Sequence, residues 1–158
     1  MLRLSKKTDY GLLALQYLAA EAPAGAASAR TIAERYDIPV ELLAKVLQQL
    51  ARLGLVAAQK GAHGGYHLTR PAGAISLAEI IQAFDGPLAI TACGRPEREE
   101  DCEQFGLCTV RDPLARVRDR ILSVLQTMTL AELAGGESVM PLVVSRGAPG
   151  TGAPVAAR

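Results

Sequence analysis

Cys93, Cys102 and Cys108 are the only cysteines among the 158 residues, and all three fall in one polar stretch, CGRPEREEDCEQFGLC. Thiolates at C-x8-C-x5-C spacing can converge on one soft-metal centre, whereas cysteines used for packing sit singly in helices or strands. A disulfide with one thiol left over needs an oxidising compartment, and no secretory apolar segment is present to imply one. Inert burial would draw the charges around Cys102 in EREEDCEQ into the interior. Structural zinc prefers four closed ligands, with cysteines paired at tighter spacing. Longer loops can wrap a larger body, so the pattern favours an iron–sulfur cluster, 2Fe-2S or 4Fe-4S, over these alternatives.

Three thiolates leave one coordination position to fill, and no histidine lies near the loop. Glu99, Asp101, Glu103 and Asp112 are local candidates, and Asp9 is a distant one that a first helix would have to deliver. A hard oxygen ligand on iron is labile, which suits a sensor better than a permanent electron carrier.

The elements that must position these groups are mostly helical. Tyr10, Leu13, Ala14, Tyr17 and Leu18 share one face of a helix over 8–20, with Thr8 or Asp9 available to cap it. Ser28 can cap a short helix, ARTIAERY. After the tight Asp37-Ile38-Pro39 connection, a third helix carries Leu43, Val46, Leu47 and Leu50 as its buried stripe and ends at Gly54. A short helix, a tight turn and a second helix make a helix-turn-helix. Leu55–Gln59 and Tyr66–Thr69, joined by the glycine-rich KGAHGG, then form a β-hairpin wing. The wing cations Lys60 and His63 are placed to reach a DNA backbone or minor groove. Ser76 opens a further helix through Phe84. Asp112-Pro113 opens a long one whose Leu114, Val117, Ile121, Val124 and Met128 form a seam for a second copy of the chain.

The fold class is therefore mainly α with a small β-hairpin, a winged helix-turn-helix head plus a long dimerisation helix. The expected organisation is a DNA-binding head over 1–87, a cysteine loop over 88–112, the dimerisation helix and a short terminal helix over 113–134, and a disordered tail over 135–158. Composition is compatible with this, at 49% hydrophobic and 21% charged. Aromatics are only 4% with no Trp, which excludes base-stacking platforms. The net charge of +1 conceals a segmental polarity. Residues 1–70 carry nine Lys/Arg against five Asp/Glu, whereas residues 71–112 carry three against eight, so a basic head approaches phosphate while the acidic loop stays away. No phosphate-binding loop, dinucleotide fingerprint or serine–histidine pairing is present, and an enzyme is not expected. Nor does any apolar run reach membrane-spanning length, so the expectation is a cytoplasmic protein with no membrane and no small-molecule substrate among its partners.

Taken in order, MLRLSKKTDYGLLALQYLA, TIAERYDIPVELLAKVLQQLARLGLV, KGAHGGYHLTRPAGAISLAEIIQAFDG and the cysteine loop before a long helix resemble the Rrf2 (IscR/NsrR-type) winged-helix transcriptional regulators, over about residues 1–134. The resemblance implies a homodimer on an inverted-repeat element of double-stranded promoter DNA, with a cluster held by Cys93, Cys102, Cys108 and a variable fourth ligand. One branch takes that ligand from a histidine three residues after its last cysteine, and Arg111 stands at that position here. The nitric-oxide-sensing branch uses an aspartate of the first helix from the partner subunit, which Asp9 in KKTDYG matches. The C-x8-C spacing and the opening residues look most like regulators of the Suf assembly operon, which implies a repressor of iron–sulfur assembly genes. Nitric-oxide sensing, iron or redox sensing, and a cluster-free member controlled by a partner protein or thiol oxidation are the alternatives. The positions matching the family's DNA contacts are Glu41, Leu42, Ala44 and Lys45 early in the third helix, and Lys60, Gly61, His63, Gly64 and Gly65 in the wing. Against these roles, Leu42 can simply pack and Lys45 can be solvated surface. Tyr66 reads as a wing-anchoring core residue, and His63 and His67 as ordinary surface groups.

Overall fold

In the computed structural model the structure describes residues 3–22, 25–61, 64–91, 94 and 102–135. The elements are α1 Lys6–Ala20, α2 Ala29–Tyr36, α3 Val40–Arg52, β1 Val56–Gln59, β2 Gly65–Leu68, α4 Leu77–Asp85, α5 Arg111–Thr127 and α6 Leu130–Gly135, with a 3-10 turn at Ala72–Ala74 before α4. The described residues are mostly helical with a two-stranded antiparallel hairpin, as the sequence predicts.

Helix α1 begins two residues before the expected start. Ser5 caps it, its Oγ accepting from the Thr8 N–H at 3.3 Å, while Thr8 is fully buried and bonded elsewhere. Helix α2 is capped as expected by Ser28, which accepts from Thr31 N–H at 3.0 Å. The chain leaves α2 through Asp37 in the left-handed region (φ 52°, ψ 46°), a conformation that a short Asp side chain tolerates, and Ile38 buries itself in the turn. Leu43, Val46, Leu47 and Leu50 are all buried on α3. Its end is a Schellman motif: Gly54 (φ 73°) donates to Ala51 O at 3.1 Å and Leu55 donates to Leu50 O at 3.0 Å, with both leucines in the core.

The wing is β1 against β2 in the register Val56–Leu68, Ala57–His67, Ala58–Tyr66 and Gln59–Gly65. Its return strand β2 is joined to the α1–α2 connection. Ala27 N–H donates to Tyr66 O at 3.0 Å and Tyr66 N–H donates to Ala27 O at 2.8 Å. Gly65 permits this approach, because a Cβ there would overlap the Ala27 carbonyl.

Helix α5 starts at Arg111, one residue before the expected Asp112 cap, and no side chain caps it. Pro113 is still tolerated, since the first turn has no intrahelical partner for its missing N–H. No residue of α5 is buried, and Val117 and Val124 are 45% and 42% exposed. After α5 the chain returns to the head. Leu77 N–H donates to Met128 O at 2.9 Å, Leu130 N–H donates to Ile75 O at 2.8 Å, and Leu130 is completely buried. Thr129 and Glu132 form the reciprocal capping box of α6, with Glu132 Oε2 accepting from Thr129 N–H at 2.7 Å. The tail expected over 135–158 lies outside the described residues beyond Gly135.

Candidate cluster site and nucleic-acid interface

Cys102 and Cys108 are free, half-buried thiols. They bracket two successive tight turns, with Phe105 N–H donating to Cys102 O and Leu107 N–H to Gln104 O, both at 3.0 Å. Cys108 lies at the foot of α5. Cys93, together with the alternative ligands Glu99 and Asp101, lies outside the described residues, and among the described residues no group of three or more His, Cys, Asp or Glu side chains is gathered for a metal. The donor set itself suits iron–sulfur chemistry, because clusters are held by cysteine sulfurs and both described cysteines are free on a turn-rich segment.

Arg111 is committed to closing the loop. Its guanidinium lies 4.7 Å from the centroid of the Phe105 ring, and Nε donates to Asp112 Oδ1 at 3.0 Å. The position three residues after the last cysteine thus carries a cation that cannot ligate iron, and Asp112 is its ion-pair partner. Arg111, Phe105, Thr91 and Leu114 border a cavity of about 290 Å³ beneath this stack. Glu103 is exposed.

Asp9 is half-buried on the first turn of α1. That turn is held by Asp85 at the end of α4, whose Oδ2 accepts from the Ser5 N–H at 3.0 Å and the Thr8 hydroxyl at 2.7 Å. Burial alone would raise the Asp85 carboxyl. Hydrogen bonds from Ser5, through side chain and backbone, and from Thr8 outweigh burial and hold it below the ordinary aspartate value. The sequence gives no sign of this contact, because its partners lie about eighty residues apart.

On the head, Glu41, Leu42 and Lys45 are exposed on α3, with Leu42 46% exposed, while Ala44 is half-buried. The outward face of the helix therefore offers the cations Lys45 and Arg52, the anion Glu41 and apolar surface from Val40 and Leu42. Lys60 is exposed at the end of β1. Gly61 (φ 130°) takes a conformation reserved for glycine, and Gly64 N–H donates back to Gly61 O at 2.9 Å, so these two glycines build the tip. His63 lies outside the described residues. Gly65 is occupied against Ala27, and Tyr66 packs on the core. His67 differs from the surface expectation: its Nδ1 is buried without a hydrogen-bond partner at the wing base.

Among the described residues no helix is long and apolar enough to cross a membrane. Structures similar to this chain include CymR of B. subtilis, described as that organism's global cysteine regulator, at 29% identity over 87% of this chain and 100% of that one, with a TM-score of 0.69. CymR of Staphylococcus aureus is 32% identical over 82% and 96% of the two chains, with a TM-score of 0.61. IscR of T. potens is 28% identical over 87% and 89%, with a TM-score of 0.67. Residues 4–136 match the Rrf2 family, described as iron-dependent transcriptional regulators. The chain therefore belongs to the Rrf2 family and is a transcriptional regulator rather than an enzyme.

Proposed function

We propose that this regulator is a cytoplasmic homodimer whose affinity for promoter DNA responds to an iron–sulfur cluster held by Cys93, Cys102 and Cys108, with Asp9 as the fourth ligand. The observation that carries the reading is the pair of free thiols, Cys102 and Cys108, on a turn-rich segment at the foot of α5. Support for Asp9 comes from its place on the α1 turn bonded to the end of α4, from which the cysteine segment departs. When bound, the cluster supplies a bridge that orders this segment and is labile at its oxygen ligand. The chain's own residues do the rest. Arg111 closes the loop over Phe105. Helix α5 presents its exposed valines to a partner, and α3 presents Glu41, Leu42, Ala44 and Lys45 to the major groove while Lys60 and the wing tip meet the backbone. Repression of iron–sulfur assembly genes follows from the Suf-type resemblance.

Anaerobic purification with absorption spectroscopy and iron and sulfide analysis tests the assignment. A coloured protein is expected, and a colourless one with stoichiometric zinc would end it. Asp9→Ala should leave the melting temperature within a few degrees of wild type while making the cluster labile and altering its spectrum.

A second reading is thiol-based regulation without a cluster. The likeness to CymR, one of whose structures is of an oxidised form, favours it. Promoter binding that responds to peroxide in iron-free protein, and is lost in Cys102→Ser, would select it.

A further inference from the structure

The last three residues of α4 are each committed to a different part of the head. Ala83 O accepts from Gln49 Nε2 on α3 at 3.4 Å. The Phe84 ring lies against Gly11, where a Cβ would come within 2.5 Å of Cε2. Asp85 Oδ2 takes the Ser5 N–H and the Thr8 hydroxyl. Gly86 follows at φ 76° and ψ −165°, a conformation that favours glycine, so the chain swings away into the segment that carries the cysteines. The turn gripped by Asp85 is the one bearing Asp9, whose N–H donates to Ser5 O at 3.0 Å.

We propose that Asp85 is a positioning residue: by gripping Ser5 and Thr8 it fixes Asp9 relative to the cysteine segment, and it passes displacement of that segment to α1 and, through Ala83 and Gln49, to α3. The inference rests on the reading of Asp9 and the cysteines as cluster ligands. Two hydrogen bonds converge on one carboxylate oxygen, one of them from a residue wholly out of solvent, and bonds to an ionised acceptor are the stronger kind. Phe84 cannot advance toward α1, because Gly11 leaves no clearance. A pull on Gly86 therefore falls first on the Asp85–Thr8 contact, which adjoins it in the chain. Gln49 is half-buried at the flank of the α3 stripe, and its amide joins the same end of α4 to the helix that faces DNA.

The test compares full-length wild type with Asp85→Asn and Thr8→Val, each prepared cluster-free and anaerobically reconstituted. Both substitutions keep the side-chain shape and leave Asp9 in place. In cluster-free protein, amide hydrogen exchange over the first two turns of α1 should rise about tenfold in both variants, with α2 unchanged. Wild-type exchange in both would overturn the grip. In loaded protein, the visible circular dichroism should shift in the direction produced by Asp9→Ala. The ratio of promoter affinities between loaded and cluster-free forms should move toward unity by about fivefold or more. A wild-type spectrum and ratio in Asp85→Asn would overturn the relay even if exchange changed. A wild-type chain that takes up no cluster would instead bring down the ligand assignment and the relay together, while the exchange measurement would still decide whether Asp85 holds α1.

Discussion

Single atoms decide several features of this chain. At Gly65 the absence of a Cβ lets the Ala27 backbone exchange two hydrogen bonds with Tyr66. Gly65→Ala drives a methyl group into a carbonyl that cannot retreat without breaking that pair. A loss of about 2–4 kcal/mol in urea-unfolding stability is expected, from two backbone hydrogen bonds and local overpacking. A midpoint equal to wild type would show that the bridge contributes nothing. The same residue illustrates what a sequence hides. Gly65 reads as part of a flexible wing tip meeting DNA, yet its packing partner lies in the α1–α2 connection, and nothing in GAHGGYHL announces it. Gly61 and Gly64, whose partners are each other, were legible as a tip.

Whole elements were easier to read when their determinants were local. The buried stripe of α3 and its glycine stop follow from residues at helical spacing, and the structure reproduces both. The starts of α1 and α5 both differ slightly from expectation: at α1 a tertiary contact chose between nearby caps, whereas α5 starts without any side-chain cap. Thr8, read as a cap, is drawn inward by Asp85, which leaves the capping to Ser5. For the cysteine loop, the sequence supplied the thiols and the arginine at position 111, but not its stacking on the Phe105 ring. The wing makes its own prediction. Lys60 is an exposed cation beside a tip of glycines, so Lys60→Ala should weaken promoter binding and lower the salt slope by roughly one phosphate contact, with little change in sequence preference. An unchanged slope in a salt titration of binding would remove Lys60 from the interface.

For the whole molecule, the exposed seam of α5 is the feature that a lone copy leaves unsatisfied. Val117→Glu combined with Val124→Glu places two charges where two apolar side chains are 45% and 42% exposed, so the fold of one copy has little to lose. Sedimentation should report the mass of a single chain for this variant and twice that mass for wild type. Two-chain masses for both would place the contact elsewhere, and single-chain masses for both would refute the dimer.

The return of the chain at Leu130 gives the architecture a property that a head-and-stalk description misses. The polypeptide leaves the head after α4, and α6 brings it back to fill a socket between Ile75 and α1. Head and long helix therefore form a closed circuit, tethered at both ends. A fragment cut before Met128 would be a vessel without its stopper, not a free-standing reader of DNA. In the intact chain the C-terminal end of α5 is thus bolted to the head on both sides of Thr129, through Met128 and Leu130.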